Sequence, residues 1–135
     1  MSFVLDASVA CAWIFADEAT KELDELLAQS AEAEVFVPSL WRSEVLNTLV
    51  QASRRNRITT DQIATYWSHL DALQISESTY VPPAERIVSL CQEHNLTAYD
   101  ATYLALAIWL KLPLATLDEQ LRQAARKENV NVLGV

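Results

Sequence analysis

Glycine is nearly absent from this 135-residue chain, Gly134 being the only one. A G-x-G-x-x-G dinucleotide turn, a P-loop and a G-x-S-x-G nucleophile elbow each need several glycines at fixed spacing, so all three are excluded. Cysteine is scarce as well. Cys11 and Cys91 are too few for a zinc site of cysteine pairs or a disulfide framework, and they read as small apolar side chains in a reducing compartment. The two histidines, His69 and His94, do not form H-E-x-x-H. Positive charge is the minority sign: 10 basic against 18 acidic residues give −8, a poor balance for broad, non-specific binding to nucleic-acid phosphates. No apolar run approaches the ~20 residues that span a bilayer, none being longer than that from Tyr103 to Leu110. No Lys or Arg precedes Lys21, as a signal peptide would require. A cytoplasmic location is expected.

What the chain does have is an apolar majority. With 51% hydrophobic and 21% charged residues, a folded core is expected, and the length suits one domain over residues 1–135. Short apolar runs alternate with amphipathic ones. Phe3-Val4-Leu5 reads as a buried strand, followed by an apolar helix from Ala7 to Phe15 and an acidic amphipathic helix from Glu18 to Gln29. Val35-Phe36-Val37 is a second strand, and a helix from Leu40 to Arg55 ends at Asn56, which tolerates the left-handed conformation. Thr59 and Gln62 spell a capping box for a helix to about Leu73, with a weak strand at Leu73 to Ile75. Pro83 opens a helix to about His94, and Thr97 caps another from Ala98 to Leu110. Leu114-Ala115-Thr116, a helix Glu119 to Lys127 and a strand Val130 to Leu133 complete the alternation. The pattern predicts an α/β three-layer sandwich, a mostly parallel sheet flanked by helices.

Carboxylate is the abundant chemical group, and four acids hold suggestive positions. Asp6 and Asp118 each follow a predicted strand and open a helix; Asp100 lies three residues beyond Thr97; Glu44 sits in the second turn of its helix. Taken singly they read as helix caps or as a solvated helix face. Taken together they differ, because functional groups in parallel sheets gather beyond the carboxyl ends of the strands. Four acids in one pocket raise one another's pKa, which protonation or a bound cation relieves. Oxygen donors suit Mg²⁺ or Mn²⁺, one or two ions. Ser8, two residues after Asp6, and Thr116, two before Asp118, are candidate supports for the acids, as is Asn47 one turn beyond Glu44.

The segments Val4-Leu5-Asp6-Ala7-Ser8, Pro38 to Asn47, Leu96-Thr97-Ala98-Tyr99-Asp100-Ala101 and Leu114 to Asp118 resemble those of the PIN-domain nucleases. The similarity is greatest to VapC-type toxins of toxin–antitoxin pairs and runs from about Phe3 to Leu133. The resemblance implies a PIN-like fold and metal-dependent RNA hydrolysis. It also implies metal binding and catalysis by Asp6, Glu44, Asp100 and Asp118, with Thr116 supporting the last. A homodimer and a small antitoxin partner are implied as well. Family members often carry Gly where helices stop here near Asn56 and Lys111, and Lys tolerates the left-handed region less well than Asn.

Arg54, Arg55 and Arg57 form the densest basic cluster, a candidate contact for substrate phosphate or simply a favourable helix C-terminus. The acidic second helix is expected to face away from RNA. Among the tryptophans, Trp109 reads as core, while Trp41 and Trp67 read as interface candidates. The competing readings are a non-catalytic PIN-like binding module and a phosphorelay receiver domain. Receivers usually carry adjacent acids after the first strand and a late Lys, where this chain has Ala7 and Asp118.

Overall fold

The computed structural model describes residues 2–135. Its elements follow in the order β1 (Phe3–Leu5), α1 (Ala7–Ile14), α2 (Lys21–Ser30), β2 (Val35–Val37), α3 (Leu40–Arg54), α4 (Thr60–Asp71), β3 (Ile75–Glu77), α5 (Ala84–His94), α6 (Ala98–Leu110), β4 (Leu114–Ala115), α7 (Glu119–Lys127) and β5 (Val132–Leu133). The strands form one parallel sheet in the order β3-β2-β1-β4-β5. This is a three-layer α/β sandwich, and the order differs from the 2-1-3-4-5 arrangement of receiver domains.

Burial explains the pattern. Phe3, Val4 and Leu5 are wholly buried because β1 is the middle strand and has helices over both faces. One group packs α1 against α2 and α3, and α3 against α4; in the other, α6 packs against α5, α7, β1 and β4. At the edge, β3 is largely exposed.

Local chemistry sets the boundaries. The capping box of α4 is formed, with Thr59 accepting from Gln62 N and Gln62 Oε1 accepting from Thr59 N. Helix α2 starts at Lys21 rather than Glu18, because the Thr20 side chain accepts from Leu23 N and residues Ala16–Glu18 form a separate 3₁₀ turn. Strand β3 lies two residues later than the apolar run at Leu73 suggests, since Ile75 is the residue that pairs with Val35. With so little glycine, the left-handed corners fall to Asn56, Asn95, Asn129 and Lys111, at φ 54° to 60°. Gly134, at φ 102°, occupies the conformation that L side chains rarely adopt.

Two tryptophan readings are corrected. Trp109 is 61% exposed and stacks on Tyr80 with ring centroids 4.5 Å apart. Helix α6 is apolar all round, so its sequence does not distinguish the inner face. Trp41 is 5% exposed and packs against the half-buried Trp67 at 5.9 Å, which makes it core.

Candidate active site

The order 3-2-1-4-5 places the topological switch between β1 and β4, from which the chain winds outward in opposite directions. Asp6 follows β1, and Thr116 and Asp118 follow β4. A cleft of about 520 Å³ opens there, and its walls include Asp6, Glu44, Asp100 and Asp118. Ser8 and Asn47 also line it, while Thr116 lies beneath, fully buried.

Asp6 occupies the N-cap position of α1, yet its carboxylate makes no capping bond. Instead Oδ2 accepts from Ser8 Oγ at 2.6 Å and from Thr116 Oγ1 at 2.8 Å. Both hydroxyls also accept from the loop after β4, Ser8 from Leu117 N and Thr116 from Asp118 N. The capping reading of Asp6 is therefore replaced by a held carboxylate. Burial raises its pKa against these hydrogen bonds, with the Asp118 charge adding to the rise.

Asp118 does cap its helix: Oδ1 accepts from Leu121 N at 2.8 Å. The cap engages that one oxygen and leaves the side chain exposed at the cleft. Asp100 N donates to Thr97 Oγ1. Burial first, then the charges of Asp118, Asp6 and Glu44, push the Asp100 carboxyl up to about 6, opposed by a hydrogen bond from Thr97. Glu44 is half-buried and has no arginine partner; its Oε1 accepts from Tyr103 Oη at 2.5 Å. Burial raises Glu44, the Tyr103 bond opposes this, and the charge of Asp6 adds to it.

Several neighbours were not anticipated. Tyr103 is wholly buried, and burial together with the adjacent acids keeps its phenol protonated far above the ordinary range. Arg122 is buried on α7 and donates to the Thr116 carbonyl at 3.1 Å, fixing the loop from below. Its spacing from Asp118, one helical turn, is the signal that could have found it. Cys11 lines the cleft with its thiol pushed up to about 11 by burial, so it is no thiolate nucleophile. Glu18 joins the wall as a fifth acid, which corrects the expectation that this acidic segment faces away.

The basic cluster divides. Arg57 packs over the Phe15 ring and pairs with Asp17 at 2.8 Å and Glu18 at 2.9 Å, so it clasps the 3₁₀ turn at the rim. Arg54 and Arg55 are exposed at the end of α3 and do not line the cleft.

The cleft's donor set is carboxylate oxygen and hydroxyl, which fits a hard divalent ion. Among the described residues, three candidate ligand atoms lie within 4.8 Å of one another only at Glu93, His94 and Glu128, outside this cleft. Mg²⁺ keeps several of its waters and is commonly bound through only one or two carboxylates, so the cleft's donors still fit it.

Residues 3–127 match the PIN domain family, and the chain belongs to it. It is 29% identical over 127 residues to Ribonuclease VapC3 of Pyrobaculum aerophilum, covering 91% of this chain and 94% of that protein. The fold is similar to that of PAE2754 from Pyrobaculum aerophilum, with a TM-score of 0.72 at 22% identity over 98% of this chain and 83% of that one. It is likewise similar to a chain of VapBC2 from Rickettsia felis, solved bound to a DNA fragment from their promoter, with a TM-score of 0.69 at 14% identity over 98% and 97%.

Proposed function

We propose that this chain is a divalent-metal-dependent endoribonuclease, the toxin of a toxin–antitoxin pair, acting in the cytoplasm as one PIN-like domain. The observation that carries the reading is the convergence of Asp6, Glu44, Asp100 and Asp118 on one cleft at the sheet's switch point, with Asp100 raised by burial first and then by the charges of the other three. Family membership and a relative named as a ribonuclease supply the reaction class. No helix among the described residues is long and apolar enough to cross a membrane.

In this reading the four acids hold Mg²⁺ or Mn²⁺, one or two ions. Such an ion supplies charge neutralisation at a phosphodiester and acidifies water. Ser8 and Thr116 fix the orientation of Asp6, and Arg122 holds the loop that carries Thr116 and Asp118. Asp100, on the same wall, is the acid placed to orient a water or accept its proton. Asn47 stands on the wall within reach of a sugar or phosphate oxygen, and Arg54 and Arg55 offer cations on the RNA's path beyond it, with Arg57 at the rim. A homodimer and an antitoxin follow from the family resemblance. The fold shared with a VapBC2 chain supports the antitoxin, whose basic side chain would neutralise the acidic cleft.

Incubating mixed RNA with the protein and Mg²⁺ or Mn²⁺ tests the reading. Cleavage is expected, abolished by chelator and by Asp6→Asn or Asp100→Asn. Wild type as inert as both variants, under conditions where the ion binds, would establish the non-catalytic binding module.

A further inference from the structure

We infer that Tyr103 is a positioning residue whose buried hydroxyl sets the place of the Glu44 carboxylate on the wall of the acidic cleft. The inference rests on the metal-site reading given above and adds a residue to it.

The geometry is specific. Tyr103 is 0% exposed, and its hydroxyl donates to Glu44 Oε1 at 2.5 Å across 59 positions of sequence. Tyr103 follows Asp100 by one helical turn on α6, so the two share a face. Glu44 belongs to α3, which packs on α1 and α4, whereas α6 packs on α5 and α7. No long shared face therefore fixes the spacing between Glu44 and Asp100. The hydrogen bond spans the two helices directly. It also takes a long, rotamer-rich glutamate and holds it in one arrangement before any ligand arrives, while Oε2 is left unengaged by the phenol. Held acids bind an ion without the ordering cost that free ones meet.

A purely structural role predicts something else. Tyr103 would then be a core ring whose hydroxyl found the nearest acceptor, and its loss would loosen packing without acting through Glu44.

The test uses Mn²⁺ alone, titrated into the metal-free full chain and followed by the electron paramagnetic resonance of the free ion. Tyr103→Phe keeps the ring and is expected to weaken Mn²⁺ binding about tenfold. In a Glu44→Gln background the same substitution is expected to add nothing, because its route to the ion is already gone. Glu44→Asp, at a half-buried position, keeps the charge but cannot keep both the tyrosine bond and its place, so it is expected to bind several-fold more weakly. With RNA, Tyr103→Phe is expected to lower kcat with KM unchanged and to recover partly at high Mn²⁺. Unchanged Mn²⁺ affinity in Tyr103→Phe, an equal loss in both backgrounds, or wild-type affinity in Glu44→Asp overturns the inference while leaving the metal site standing. A wild type that binds no Mn²⁺ overturns the metal-site reading and this inference with it.

Discussion

Thr116 Oγ1 donates to Asp6 Oδ2 at 2.8 Å, joining the loop after β4 to the acid that follows β1. The same oxygen accepts from Asp118 N at 3.1 Å, so one hydroxyl orients the carriers of two acids. Thr116→Val keeps the shape and removes both bonds. It is expected to cost about 1–3 kcal/mol in a urea denaturation experiment, because a buried carboxylate loses a donor. RNA cleavage is expected to fall about tenfold or more, since the partners that orient metal-binding acids carry effects of that size. Stability and activity at wild-type levels would show that Ser8 alone suffices.

Asp100 gives a pH dependence with a definite sign. Its pKa is 3.8 in the unfolded chain and about 6 in the fold, so folding favours the protonated form. That contribution is fully present below about 3.8 and is lost as pH rises to about 6. In metal-free protein at pH 7, Asp100→Asn is therefore expected to stabilise. Half-exposed and screened by water, the effect is about 1 kcal/mol, or a Tm rise of roughly 3–6 °C in thermal melts. With Mn²⁺ present the order is expected to reverse, the wild type gaining stability from the ion and the variant gaining little.

Among the described residues Arg54 and Arg55 have no ion-pair partner, whereas Arg57 is already committed to Asp17 and Glu18. Replacing Arg54 and Arg55 together by Ala is expected to weaken RNA binding and to lower the salt slope of log K by roughly 1–2. Binding to inactive Asp6→Asn protein, measured by fluorescence anisotropy across a salt series, reads this directly. An unchanged slope removes both residues from the RNA path.

Lys111 ends α6 at φ 58° and ψ 43°, where a Cβ is unwelcome. Lys111→Gly relieves the strain but frees the unfolded chain, leaving an expected net gain of about 0.5 kcal/mol by urea midpoint.

Much of this was legible in the sequence. Period, caps and the strand–helix alternation found each strand and α-helix, though not the 3₁₀ turn at Ala16–Glu18, and α7 runs over Glu119–Lys127 as expected. Asp6, Glu44, Asp100 and Asp118 fall on one cleft because each stands beyond a strand end or in an early helical turn, positions that a parallel sheet gathers at one edge. What stayed hidden depends on tertiary direction. Trp109 lies in a helix with no polar face to orient it, so its exposure follows only from where β1 and β4 lie. Tyr103 looks like any core aromatic until α3 brings Glu44 to its hydroxyl. Arg57 belongs to a basic run, and only the 3₁₀ turn at Ala16–Glu18 gives it partners.

The central claim is that the acids beyond β1 and β4 and in the early turns of α3 and α6 hold a hard cation. A crystal of the wild-type protein soaked in Mn²⁺, with anomalous diffraction recorded, tests it most directly. The account predicts an anomalous peak in the cleft, coordinated directly or through water by Asp6 and its companion acids, and lost in Asp6→Asn. A peak confined to Glu93, His94 and Glu128, with the cleft empty at Mn²⁺ concentrations that support RNA cleavage, would contradict it.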